Sequence, residues 1–273
     1  MKTWNASKIK ASKGVCKLAC VTAYDYTFAR LADAAGLPLI LVGDSLGNTM
    51  LGFSSTLPVT MEHMLHHTAA TVRGVKNAMV VADMPFLSYQ ISEAEALRNA
   101  GRFLQEAGAD AVKLEGGCIR ASLVKTLTQN GIPVLGHIGL TPQSIQTLGG
   151  YKVQGKTREA AEQLMNDAQA LVDAGVFALV LECTPPDLAA TITAASSVPV
   201  ISVGAGPVCD GQMMVLHDLL GLSEGKPARF VKAYENLSER VTQAFTQFAS
   251  EVQHGDYPTA EHCYAPLNPS QTA

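Results

Sequence analysis

Four acids in this chain each close a short apolar run: Asp44 in LILVGDS, Asp83 in AMVVADMPF, Glu115 in ADAVKLEGG and Glu182 in FALVLECTP. Runs of this length, rich in Val, Leu and Ala, read as buried strands of a parallel sheet. An unpaired acid within such a strand would be costly to bury. At the strand's carboxyl end it faces the region where α/β folds bind ligands. Any one of these acids could be a helix N-cap or a surface acid just past a strand. Four of them in the same place point to a bound cation and a base.

Lys113 lies two residues before Glu115 in one run, so both side chains share a face. A lysine on an inward face requires acids or a ligand anion beside it. Asp44, Asp83, Glu115 and Lys113 together carry a formal charge of −2, which one divalent cation would neutralise. An all-oxygen donor set suits magnesium. Ser45 follows Asp44 and could donate its hydroxyl or amide to a bound carboxylate, or be a simple helix cap. Glu182 stands on a later strand, across from the other acids. In a dry pocket its pKa should rise, which suits a general base near neutral pH. His137, in VLGHIGL, reads as a donor behind the cation site or as a satisfied core histidine. Cys183 adjoins Glu182, and small thiols of this kind are more often packing than nucleophiles.

These residues need a scaffold that brings several strand ends together. One unit recurs as LADAAGLPLILVGD, LQEAGADAVKLE and LVDAGVFALVLE: a helix, a glycine break, an apolar strand, an acid. Strands are expected over 17–25, 39–43, 78–82, 110–114, 132–138, 177–181, 198–206 and 212–218. Eight strands alternating with helices predict a single-domain α/β protein of the (β/α)8 TIM-barrel type. An open doubly wound sheet is disfavoured because no GxGxxG segment opens a helix. Residues 1–16 read as an N-terminal arm or short helix, 17–255 as the catalytic barrel and 256–273 as a C-terminal tail. Ser92 and Thr157 are expected to cap helices, and Ser238 a late one. On that late helix Val241, Phe245, Phe248 and Val252 share one face and predict core packing. The long segment LGGYKVQGKT (148–157) reads as a loop able to act as a lid, and VGAG (203–206) as a possible phosphate cradle.

Of the 273 residues 47% are hydrophobic and 16% charged, which marks a globular chain with a large core. A net charge of −4 with scattered basic residues argues against nucleic-acid or membrane partners. No apolar stretch approaches a membrane span, and the first residues lack an apolar signal core, so a cytoplasmic location is expected. The six cysteines form no CxxC pair and no zinc pattern, and read as free thiols.

Taken together, VTAYDYTFA (21–29), LVGDSLG (41–47), STLPVT (55–60), ADMPF (82–86), VKLEGG (112–117), GHIGLTPQS (136–144), GGYKVQG (149–155), LECTP (181–185) and CDGQMMVLHDLLG (209–221) closely resemble the ketopantoate hydroxymethyltransferase family. The likeness runs from about residue 15 to about residue 264. One departure is ISVGAG (201–206), where Ser202 stands for a glycine usual in the family. The resemblance implies a TIM-barrel enzyme of pantothenate and coenzyme A biosynthesis. It implies transfer of a hydroxymethyl group from 5,10-methylenetetrahydrofolate to 3-methyl-2-oxobutanoate, giving 2-dehydropantoate, with magnesium. By matching motifs, Asp44 and Asp83 carry over as metal ligands and Glu115 as a third. Ser45 and Lys113 carry over as substrate contacts alongside Asp44 and Asp83, and Glu182 as the proton acceptor. A homo-oligomer, commonly a decamer, is implied as well. The alternative is another magnesium-dependent 2-oxo acid enolate enzyme, a lyase or mutase, on the same kind of barrel.

Overall fold

The structure is a computed structural model and describes residues 2–265. Eight parallel strands close a barrel: β1 (Leu18–Thr22), β2 (Leu39–Val42), β3 (Met79–Asp83), β4 (Ala111–Glu115), β5 (Val134–Gly139), β6 (Ala178–Glu182), β7 (Val200–Val203) and β8 (Gly211–Met214). Sequential strands are neighbours, and β8 returns to pair with β1. Each strand is too short to bury a helix alone, so stability comes from closing the ring and clothing it.

Strand alternation divides the core in two. The inward positions, among them Leu39, Leu41, Met79, Val81, Ala111, Leu135, Ala178 and Val180, fill the barrel. The outward positions, among them Ile40, Val80, Val112 and Leu179, pack under the surrounding helices. The barrel floor is closed by the helix Ala6–Ala11, whose Ile9 is fully buried in the inner cluster.

The expected breaks hold. Thr157 caps the helix Arg158–Ala174, and Ser92 accepts from the Glu95 amide at the start of Glu93–Gln105. Gly36, Gly108 and Gly175 all take positive φ just past helices, where a side chain would be strained.

Three expectations are corrected. The eighth strand ends at Met214, and Leu216–Leu220 turns as a short helix, so His217 and Asp218 lie on that helix. The apolar run QMMVL hides this boundary, because its hydrophobicity continues across it. The late helix is Leu237–His254, with Asn236 at the N-cap position in place of Ser238. Its apolar face is not core: Phe245 is 70% and Phe248 56% exposed. The outer face of the β8–β1 seam is also bare, with Ala19 and Gln212 exposed where Ile40 and Val80 are sealed elsewhere. Of the expected tail 256–273, residues 266–273 lie outside the described residues, and Ala260–His262 forms one 3-10 turn.

Candidate active site

Continuing the inward alternation past the apolar layers brings polar residues to the top of the barrel. Asp83 ends β3, Lys113 and Glu115 end β4, His137 sits near the end of β5 and Glu182 ends β6. Sheet register sets Asp83 beside Lys113 and Glu115 beside His137. Asp44 lies just past β2, with Ser45 next to it. All these residues line one cavity of about 470 Å³. The sequence-predicted set is therefore gathered at one place.

The Lys113 ammonium donates to both Asp83 oxygens, at 2.8 and 2.9 Å, and stands 3.5 Å from Glu115 Oε1. The Asp44 amide donates to Asp83 Oδ2 at 3.1 Å. Burial opposes the charge on Lys113, but Asp83, Glu115 and Asp44 outweigh it and hold the ammonium above its ordinary pKa. Burial also pushes the Asp44 carboxyl well above its ordinary value, and the charge of Asp83 adds to this. Glu115 goes the other way: burial would raise it, but Lys113 and His137 hold it below its ordinary value.

His137 stands between two acids, with Nδ1 3.6 Å from Glu115 Oε1 and Nε2 3.3 Å from Glu182 Oε2. Burial and Lys113 disfavour its charged form, yet the two carboxylates push it up to about 9. These separations are ion-pair distances and too long for good hydrogen bonds. The glutamate side is the more open, for the Glu182 side chain is 17% exposed. The dry surroundings expected for Glu182 are thus only partly met. Its backbone is held close: Gly139 has φ +92°, and a Cβ there would collide with the Glu182 carbonyl oxygen. Only glycine lets β5 pass so near.

Several residues of the site escape sequence reasoning. Gln143, in the turn after β5, is buried and donates its side-chain amide to Asp44 Oδ2 and to the Met84 carbonyl, both at 2.9 Å. Its backbone amide donates to Glu115 Oε2 at 3.0 Å, and its side-chain oxygen accepts from the Tyr89 hydroxyl at 2.6 Å. Tyr24 and Thr22 form a second support. The Leu216 amide donates to Thr22 Oγ1, which donates to the Tyr24 hydroxyl, which lies 2.8 Å from Ser45 Oγ. The only sequence signal for either group was its presence in blocks such as TPQS and TAYD.

Cys183 has a left-handed backbone, φ +47°, and burial pushes its thiol up to about 11. A thiol held protonated is a poor nucleophile, which supports the packing reading. The segment 148–157 reaches the cavity through Tyr151, Lys152 and Val153, and Arg229 and Phe230 line it as well.

The acid-rich set fits a hard divalent cation. Three buried carboxylates face one lysine, and Glu115 Oε1 has no hydrogen-bond partner among the described residues. Among those residues no three metal-type side chains are drawn together into a cage. Magnesium does not need one, because it keeps waters or substrate oxygens and takes one or two carboxylates.

The family model described as ketopantoate hydroxymethyltransferase matches residues 3–260. A 3-methyl-2-oxobutanoate hydroxymethyltransferase of Syntrophomonas wolfei is 54% identical over 248 residues, covering 91% of this chain and 90% of that protein. One of Carboxydothermus hydrogenoformans is 56% identical, with the same coverage of each. Among solved structures, a phosphonopyruvate hydrolase complexed with oxalate and Mg++ superposes with a TM-score of 0.61. It shares 14% identity, with 97% of this chain and 92% of that chain covered, a likeness of fold. A 2,3-dimethylmalate lyase of the PEP mutase/isocitrate lyase superfamily gives 0.59 at 14% identity, covering 97% and 92%.

Proposed function

The chain belongs to the ketopantoate hydroxymethyltransferase family, and from that premise we propose that it makes 2-dehydropantoate from 3-methyl-2-oxobutanoate with magnesium and 5,10-methylenetetrahydrofolate. Asp44, Asp83 and Glu115 would hold the metal. When bound, magnesium supplies a Lewis acid for the charge that develops on the 2-oxo oxygen as C3 loses its proton.

The chain's own residues do the rest. The Ser45 hydroxyl binds the substrate carboxylate. The Lys113 ammonium offsets the growing negative charge from inside the barrel. Glu182 takes the C3 proton, and His137, between Glu182 and Glu115, positions that carboxylate. C3 then bonds to the one-carbon unit. One water is consumed, its oxygen becoming the new hydroxyl, and the folate leaves as tetrahydrofolate.

The observation that carries this reading is an arrangement within one cavity: a buried cluster of acids ion-paired with Lys113, and the more open Glu182 beside His137. The lyase or mutase alternative is tested by the same assay. 2-Dehydropantoate should form only when both folate and magnesium are present, and formation without folate would overturn the proposed donor.

We also propose a homo-oligomer, a decamer, in the cytoplasm. The exposed apolar face of Leu237–His254 and the bare β8–β1 seam support association, since each leaves apolar surface that water would otherwise cover. No helix among the described residues is long and apolar enough to cross a membrane. Sedimentation would report the assembly size.

A further inference from the structure

We propose that Asp218 is the anchor for the pterin ring of the folate co-substrate, which enters the catalytic cavity over the short helix after β8. The proposal rests on the folate-dependent reading above.

Five acids line the catalytic cavity: Asp44, Asp83, Glu115, Glu182 and Asp218. The first four have work to do on the 2-oxo acid. Asp218 has none, and it sits where the cavity meets a neighbouring one of about 610 Å³. An acid in the first turn of a helix can simply favour the helix dipole, but a helix of five residues gains little that way. The position of Asp218 is fixed. Leu216, two residues earlier, is tied to the barrel through Thr22 Oγ1, and Ser223 donates to Asp218 Oδ1 at 2.6 Å. That leaves Oδ2 without a hydrogen-bond partner among the described residues, on a half-buried residue.

The 2-amino-4-oxo ring of a reduced folate presents two adjacent N–H donors, at N3 and the 2-amino group. A carboxylate matches such a pair with two charge-assisted bonds. The same cavity is also lined by aromatic and basic side chains. Phe230 and Tyr151, respectively 38% and 63% exposed, line it and are rings on which a flat heterocycle could stack. Lys152 and Arg229 line it too, and would serve the anionic glutamate end. The other large cavity beside the site is lined by the bare β8–β1 seam and by proline and glycine residues, and it has no acid among its described lining. It offers no carboxylate to the donor edge of a pterin.

The test is a calorimetric titration of the intact protein, loaded with magnesium and 3-methyl-2-oxobutanoate, using 5-formyltetrahydrofolate as a stable probe. Asp218→Asn keeps the shape and an acceptor for Ser223 but removes the charge. It should weaken folate binding about ten- to a hundredfold, with a smaller change in KM for the 2-oxo acid than for the folate. A folate lacking the 2-amino group should bind the parent weakly and lose little more in the variant, because both changes remove one interaction. Phe230→Leu should weaken both folates equally. Equal losses for the two folates in Asp218→Asn, or parent-like folate affinity in that variant, would overturn the proposal alone. A parent protein that binds no folate would overturn both this proposal and the donor reading beneath it.

Discussion

The side-chain amide of Gln143 donates to Asp44 Oδ2 at 2.9 Å across 99 residues of sequence, while its backbone amide holds Glu115. One residue thus orients two of the three proposed metal ligands. Removing such a support typically costs 10- to 100-fold in metal affinity. Gln143→Met keeps the volume and the backbone contact but leaves Asp44 Oδ2 and the Met84 carbonyl unpaired. Magnesium affinity, titrated in the presence of the 2-oxo acid, should fall about tenfold or more. A lowered melting temperature with unchanged magnesium affinity would reduce Gln143 to a packing role.

The Tyr24 hydroxyl gives Ser45 a direction. Thr22 donates to the Tyr24 hydroxyl, which lies 2.8 Å from Ser45 Oγ; with Tyr24 as the donor to Ser45, the Ser45 proton is free to turn into the cavity. In that arrangement Ser45 is a donor for an anion. Tyr24→Phe should raise KM for the 2-oxo acid about five- to twentyfold with a smaller effect on kcat, as expected for one lost supporting hydrogen bond. Equal falls in kcat and kcat/KM would instead place Tyr24 in the chemical step.

Lys113 is surrounded by Asp83, Glu115 and Asp44, which keep it charged. An ammonium with no free lone pair does not form a Schiff base at neutral pH. Borohydride added with the 2-oxo acid should trap nothing on Lys113. A reduced adduct seen by mass spectrometry would show covalent catalysis and remove the reason for a metal.

Below the site, Asp33 ties β3 to its preceding turn. Its carboxylate accepts from the Lys76, Asn77 and Ala78 amides at 3.1, 2.9 and 2.7 Å. Burial opposes its ionisation, but these three bonds hold its pKa below the ordinary 3.8. A depressed carboxylate stabilises the fold above its unfolded pKa, and that contribution is lost as pH falls through the folded value. Asp33→Ala should cost about 2–4 kcal/mol at neutral pH, mostly from unpaired amides. Denaturant titrations should show the gap between the two proteins narrowing as pH drops below 3.8. A gap that stays constant would mean the amides find other partners.

Asp83, Glu115 and Glu182 were legible because strand alternation is strict: once a run is a barrel strand, its last inward residue is committed to the cavity. Asp44 lies past β2 and out of phase with the inward Leu39 and Leu41, so only its place after an apolar run marked it. Lys113 followed from the same rule through its spacing from Glu115. Gln143 was not legible, since its reach depends on a 3-10 turn at Pro142–Ser144 folding back over the barrel. The pairing of Tyr24 with Ser45 likewise joins two loops whose approach only the closed ring defines. The helix Leu237–His254 shows a different limit. Its periodicity marks an apolar face, but periodicity does not say what that face meets, and the structure leaves it exposed where core packing was expected.

Glu182 carries the last prediction. It ends β6, its carboxylate is 3.3 Å from His137 Nε2, and among the described residues it, unlike Asp83, forms no ion pair with Lys113. The chelating end of the substrate belongs with Asp44, Asp83 and Glu115, so C3 should project toward the β6 side. Exchange of the C3 proton for deuterium can be followed without folate, which isolates this step from carbon transfer. Glu182→Gln preserves size but removes the base, and such losses cost about 10²–10⁴-fold in rate. The variant should exchange slowly yet bind the 2-oxo acid with magnesium nearly as the parent does. Exchange at the parent rate would move the role to another group, with His137 the neighbour to examine next. If substrate binding collapses together with exchange, Glu182 is a ligand or a structural acid, and the separation of roles across the cavity is wrong.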